Sequence, residues 1–147
     1  MKMTTFSKPI SIRWADLDPN FHLRHSVYYD LGAAQRVEVL ESSGVTLQFM
    51  KENHIGPILF REECIFRREI KSGDDVTLTV AVAKMKEDGS RWVLRHVFSD
   101  PNEKLLATLT VEGAWMDTRL RKLASPIPPL IIEVFGGFPK TEDFTFL

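Results

Sequence analysis

Residues 26–43 run without proline and stop at Gly44, and every patterned stretch after them alternates as a strand does. That asymmetry limits the fold more than any other feature. The spacing predicts a first strand over residues 10–14, where Ile10, Ile12 and Trp14 alternate with Ser11 and Arg13. It runs into Asp16-Leu17-Asp18-Pro19-Asn20, and Pro19 pushes Asp18 toward an extended backbone, so the strand ends near Asp18. Further strands are predicted over residues 58–70, 76–85, 91–99 and 105–116. Lys71-Ser72-Gly73-Asp74-Asp75, Asp88-Gly89 and Asp100-Pro101-Asn102 supply the turns between them. Turns this tight demand antiparallel pairing, and the resulting sheet has one apolar face to bury. One helix is available to cover it. The expected class is therefore α+β, a five-stranded antiparallel sheet wrapped around one long central helix.

On a helical wheel, Tyr28, Tyr29, Gly32, Ala33, Val37, Val39 and Leu40 cover about half the circumference. Asp30, Gln35, Glu38, Glu41 and Ser42 gather on the other half, so the helix should be buried along most of its length. Arg36 falls inside the apolar arc, where an unpaired guanidinium is costly, and Asp16 is its expected partner. Cys64 is the only cysteine and reads as a buried small hydrophobe in a strand. The tail, residues 131–147, gives no clear pattern.

Composition narrows the class of function. The 147 residues, expected to form one domain over 1–147, are 44% hydrophobic and 27% charged, the balance of a globular chain rather than a disordered one. With 19 basic and 20 acidic side chains the net charge is -1, which argues against nucleic acid as a partner. No stretch has the length and apolarity of a signal peptide or a membrane span, so a cytoplasmic protein with no membrane partner is expected.

The stretch IRWADLDPNFHLRHSVYYDLGAAQRVEVLESSG resembles the opening of the acyl-CoA thioesterases of the 4-hydroxybenzoyl-CoA thioesterase group. Their motif is a strand ending in Asp-x-Asp, then Gly-His-Val-Asn-Asn or a variant, then a Tyr and a later Arg on the helix. Asp16, Asp18, His22, Tyr28 and Arg36 stand at those positions. The later strands, the Gly73-Asp74 turn and Ile127-Pro128 extend the resemblance over residues 8–130. It implies the hotdog fold, thioester hydrolysis with no metal and no cofactor beyond the CoA of the substrate, and assembly as a homodimer or a dimer of dimers.

Thioester hydrolysis needs an activated water or a nucleophile, and a group that stabilises the developing oxyanion. The chain has no Gly-x-Ser-x-Gly elbow, and its cysteine lies in a predicted core strand, which leaves a carboxylate. The resemblance implies that Asp18 is that nucleophile or general base. Taken by itself, an Asp before Pro-Asn equally caps a turn or a helix start. The first amides of the helix, near Arg24, His25 and Ser26, have no internal acceptor and suit a thioester oxygen. His22 and His25 are candidates for orienting the carbonyl, shuttling a proton or bonding a neighbouring subunit, or are ordinary loop residues. His54 and His96 have no local support for a role.

Phe21, Arg24 and Tyr28 are candidate substrate contacts, with Phe21, Tyr28 and Tyr29 lining an acyl pocket. Lys84, Lys86, Ser90 and Arg91 flank the hairpin that the resemblance places near the nucleotide, where they suit phosphate capture; a solvated hairpin is the alternative. Glu62 and Glu63 fall on opposite faces of a strand, and ion pairing with an arginine on an adjacent strand is expected for them rather than catalysis. The chain departs from the family at Phe21, where relatives have Gly and where φ > 0 is costly, at Arg24-His25 in place of Asn-Asn, and at Ala33 in place of an acid. A hotdog protein acting on acyl carrier protein, and a non-catalytic acyl-CoA-binding module, are the other readings.

Overall fold

A computed structural model describes residues 6–147. Hairpin chemistry sets the order of the sheet. β3 (Val76–Met85), β4 (Arg91–Ser99) and β5 (Leu105–Asp117) form a meander, and β5 pairs antiparallel with β2 (Ile55–Phe66). β1 (Ser7–Ile10) adds to β3, giving the order β1-β3-β4-β5-β2. α1 (His25–Ser42) crosses the concave face. This is the hotdog arrangement expected from the sequence, and the predicted helix and four long strands are all present.

Several boundaries differ for identifiable reasons. The alternation over residues 10–14 is not a strand, because the Arg13 amide donates to the Asp16 carboxylate (2.9 Å) and Trp14–Asp16 curls into a 3-10 turn. Trp14 is consequently exposed, and β1 lies earlier, at Ser7–Ile10. β2 begins at Ile55 and takes in Pro57, which an edge strand tolerates. It ends at Phe66, where the Arg67 and Arg68 amides both turn to the Leu106 carbonyl. Thr46 caps an additional short helix, α2 (Leu47–Glu52), by accepting from the Phe49 amide. A two-residue strand, β6 (Lys122–Leu123), lies beside β5.

The tail is ordered by burial. Pro129 opens α3 (Pro129–Gly137), whose Ile131, Val134 and Phe135 are buried, and β7 (Lys140–Phe146) pairs parallel with β3. Phe135 stacks on Phe138 and meets Trp115 edge-on, closing the core beyond the end of α1. Among the described residues the sheet therefore has seven strands where five were expected.

The helix is rotated from the arc its sequence suggested. Val27, Tyr28, Gly32, Gln35, Val39 and Leu40 are buried, while Ala33 and Val37 are exposed. Gly32 sets this approach, since a Cβ there would overlap the Leu109 side chain of β5. The rotation buries a polar chain. Arg36 Nη1 lies 3.0 Å from His96 Nε2, His96 Nδ1 lies 2.9 Å from Gln35 Oε1, and Gln35 Nε2 donates to the Leu78 carbonyl at 2.8 Å. A guanidinium only donates, so His96 accepts at Nε2 and carries its proton on Nδ1. Arg36 is thus held by His96, and Asp16 is taken by Arg13 (2.8 Å), contrary to the pairing expected from sequence.

Burial, with the Arg36 charge beside it, pushes the His96 imidazole down to about 3. The unfolded chain protonates this histidine near pH 6.5 and the folded chain does not, so the unfolded state binds the extra proton and stability falls as pH drops through that interval. Urea unfolding should show a loss of about 2 kcal/mol from this residue between about pH 7 and about pH 5. His96→Gln should remove that slope; an equal slope in the variant would assign it to other groups.

Among the described residues no helix is long and apolar enough to cross a membrane.

Candidate functional site

The loop before α1 is built on Asp18. Its Oδ1 accepts the Asn20 amide (2.8 Å) and the His22 amide (3.1 Å), and its own amide donates to the His22 carbonyl. These bonds draw Asp18–His22 into a closed turn, so Asp18 does cap the turn, as an Asp before Pro-Asn can. Asp18 Oδ2 has no donor among the described residues. The loop is anchored on both sides: Leu23 N–H donates to the Ile70 carbonyl (2.7 Å) and Arg24 N–H to the Asp16 carbonyl (2.7 Å). Arg24 is extended and ends the loop, and no side chain among the described residues caps the helix that follows. The His25 and Ser26 amides therefore keep their hydrogen-bonding capacity, while the Val27 amide donates to the Arg24 carbonyl (2.9 Å).

A cleft of about 340 Å³ opens at this point. Asp18, His22, His25 and Tyr28 line it from one side, and Phe66 to Ile70 from the other. His22 Nε2 lies 3.2 Å from Glu69 Oε2, while His25 is exposed at the first position of α1. Tyr28 is buried between Phe66 and Phe98, edge-on to both, at centroid distances of 4.9 and 5.1 Å. Burial, and then the neighbouring Cys64, Asp18 and Glu69, push its hydroxyl up to about 12, so it keeps its proton. Cys64 is half-buried rather than fully buried, and burial pushes its thiol up to about 11. It is a thiol at neutral pH, unsuited to nucleophilic attack.

The other sequence candidates lie elsewhere. Arg24 donates to the Ala15 carbonyl (2.7 Å) and to Ser26 Oγ (2.9 Å), which braces the loop. Phe21 is exposed and packs against Trp14, and Tyr29 does not reach the cleft wall. Lys86 and Arg91 share a separate hollow, where the Arg91 guanidinium sits over the Phe60 ring, and Lys84 lies in another beside Arg95. Ser90 is held in the hairpin, its amide donating to Asp88. Glu63 pairs with Arg61 two residues away within β2, not with an arginine on the adjacent strand, because side chains two apart share a face; Glu112 on that neighbouring strand completes the cluster. Glu62 pairs in register with buried Val111, which puts it on the concave face, where its charge acts on Arg36. Among the described residues no cluster of His, Cys, Asp or Glu could hold a metal ion.

Sequence reasoning missed Arg67, Arg68 and Glu69. The two arginines are exposed in the cleft wall and pair with no carboxylate among the described residues. The available signal was the Arg67-Arg68-Glu69 run, which breaks the alternation of the preceding strand.

Phe21 has φ +62, the left-handed backbone that glycine adopts freely. The loop thus keeps the shape its hydrogen bonds demand although a phenylalanine occupies the strained position. Relief of roughly 1–2 kcal/mol of strain, less the unfolded-state entropy of glycine, predicts that Phe21→Gly gains about 0.5–1 kcal/mol. Calorimetry checks this, and a lowered thermal midpoint would show that the Trp14 contact outweighs the strain.

A family model for the thioesterase-like superfamily matches residues 12–135. No curated protein matches the chain in sequence. Among solved structures, the fold is similar to protein SAV2348 of Staphylococcus aureus, determined in complex with CoA (TM-score 0.82, 17% identity, 96% of this chain and 90% of that one). It is also similar to Slr0204, a 1,4-dihydroxy-2-naphthoyl-CoA thioesterase from Synechocystis (0.78, 17%, 90% and 96%), and to a DHNA-CoA thioesterase from Staphylococcus aureus (0.79, 17%, 91% and 90%). The chain belongs to the thioesterase-like superfamily and carries its hotdog fold, as the motif around Asp18 implied.

Proposed function

We propose that this protein hydrolyses an acyl-CoA thioester to the free acid and CoA, with Asp18 as general base or nucleophile. The observation that carries the reading is the placement of the Asp18 carboxylate in the wall of a cleft that opens at the uncapped start of α1. In the base form of the reaction, Asp18 takes a proton from water, whose oxygen adds to the carbonyl carbon. The oxyanion is held by an amide near His25, where the helix dipole favours negative charge. Collapse breaks the C–S bond and CoA leaves as the thiolate, to which the proton returns. His22, positioned by Glu69, and His25 sit where they can orient the carbonyl. Arg67 and Arg68 provide free positive charge at the same cleft for phosphate groups.

The CoA-bound relative supports a CoA-containing ligand. The edge strand β2 exposes Leu59, Phe60, Ile65 and Phe66, which suits pairing with a second copy of the chain and would place Phe66, a cleft residue, at that junction. The lysines and arginines of the β3–β4 hairpin then have a role only if such pairing carries them to a neighbour's cleft.

Free-thiol release from a panel of short, long and aromatic acyl-CoAs tests the reading. Turnover of at least one class is expected. Binding of CoA esters with no thiol released from any of them would make the chain a binding module instead.

A further inference from the structure

The loop that presents Asp18 also carries the two most exposed aromatic side chains among the described residues, Trp14 at 79% and Phe21 at 61%. Their ring centroids lie 6.1 Å apart with the planes tilted by 47°, so the pair is splayed rather than stacked. Backbone bonds fix both. Leu17 N–H donates to the Trp14 carbonyl (3.2 Å) and Phe21 N–H to the Asp18 carbonyl (3.0 Å). Phe21 precedes His22, a wall residue of the cleft, and neither ring lines the cleft itself.

The fold gains little from this pair. Rings left in water bury little apolar area, and Phe21 holds a left-handed backbone (φ +62) that the glycine of the family's motif takes freely. Strain held at an exposed side chain, outside the core, points to a contact beyond the chain. A second copy is a poor occupant, since two aromatic side chains bury about 150–250 Å² each against the roughly 800 Å² per partner of a standard interface. The flanking cations favour a small anionic one. Arg13 is clamped on Asp16 (2.8 Å) with its Nη1 free of hydrogen bonds among the described residues. Arg24, bonded to the Ala15 carbonyl and Ser26 Oγ, meets no carboxylate there. Guanidinium groups held beside a splayed aromatic pair suit a flat ring joined to phosphates.

We propose that Trp14 and Phe21 form a stacking platform for the adenine of CoA, with the base flat on the open face of the indole and the Phe21 ring against its edge. This rests on the reading of the Asp18 cleft as a CoA-thioester site, where the phosphates attracted by Arg67 and Arg68 bring the base within reach of the loop. Because the family's motif has glycine at position 21, the second ring belongs to this chain and not to the family at large.

Of the three tryptophans only Trp14 is exposed, Trp92 and Trp115 being 3% and 1% exposed, so the solvent-exposed part of the emission reports on the platform. Titrating the full chain with CoA should quench that emission saturably, whereas pantetheine, which lacks the nucleotide, should bind without quenching it. ADP has the base and the pyrophosphate but no arm in the cleft, and should bind at least about tenfold more weakly than CoA. By calorimetry, Trp14→Ala should weaken CoA about tenfold or more and leave pantetheine unchanged, and Trp14→Phe, which keeps a ring, should recover most of the loss. Phe21→Gly should weaken CoA although it relieves the strained backbone, which separates the platform from a role in folding. Equal CoA affinity in Trp14→Ala, quenching by pantetheine as strong as by CoA, or ADP as tight as CoA overturns the proposal and leaves the reading of the cleft standing. A dimer that falls apart in Trp14→Ala gives the pair to a second copy and overturns it too. Failure of CoA and pantetheine alike to bind overturns the reading of the cleft together with the platform.

Discussion

Asp18→Asn is expected to lower thiol release from acyl-CoA by roughly 10²–10⁴-fold, the usual worth of a positioned acid–base group, with the thermal midpoint little changed. The two halves of that expectation come from different atoms of one side chain. Oδ1 holds the turn by accepting the Asn20 and His22 amides, and asparagine keeps a carbonyl oxygen for both. The negative charge, and the lone pairs on the oxygen that has no donor, are what the amide removes. Asp18→Ala deletes both functions, so it should lose activity and also about 1 kcal/mol of stability through the unsatisfied turn amides. Parallel thiol-release and thermal-unfolding measurements on the two variants separate the roles. If the asparagine variant turns over at the wild-type rate, Asp18 is a turn residue alone and the chemistry belongs to another group in the cleft.

What could be read from the sequence was what short-range chemistry dictates. The Asp-Gly hairpin at 88–89, the period-two runs on either side and the glycine after α1 each act within a few residues, and β3 and β4 fall where the pattern puts them. Features set by partners distant in the chain were not legible. Gln35 looks like a solvent residue on a helical wheel, and it is buried because His96, 61 positions away, presents an imidazole to it. Arg36 was visible as an anomaly, but its partner is a histidine that no local pattern singles out. The far wall of the cleft, Phe66 to Ile70, reaches Asp18 through the bond between the Leu23 amide and the Ile70 carbonyl, a tertiary contact with no sequence signature. Asp18 stood out as a candidate only because the surrounding motif resembles a family; its local chemistry pointed equally to a turn cap, and it forms one.

Gly113→Ala is expected to be the most damaging single substitution in the sheet, costing about 3 kcal/mol or more. Gly113 faces Leu59 on β2 and Trp92 on β4. A Cβ there would overlap both the Ile58 carbonyl oxygen and the ring of Trp92. A side chain can turn aside from such a clash, but a backbone carbonyl in a paired strand moves only if the strand moves. The β2–β5 register already shifts between Leu59 and Arg61, next to the contact, so the pairing has an irregularity there through which it can part. Gly136→Ala is the control, since a Cβ at that position meets nothing within 4 Å and should be neutral or slightly stabilising. Combining Gly113→Ala with Trp92→Leu should not restore stability, since the carbonyl obstacle remains and the core loses a buried indole. Urea midpoints for the four proteins measure this, and a Gly113→Ala midpoint equal to wild type would mean that β2 yields without cost. Displacement of β2 also carries functional weight: its end leads into Phe66 to Ile70, so a strand that shifts opens the cleft from the side opposite Asp18.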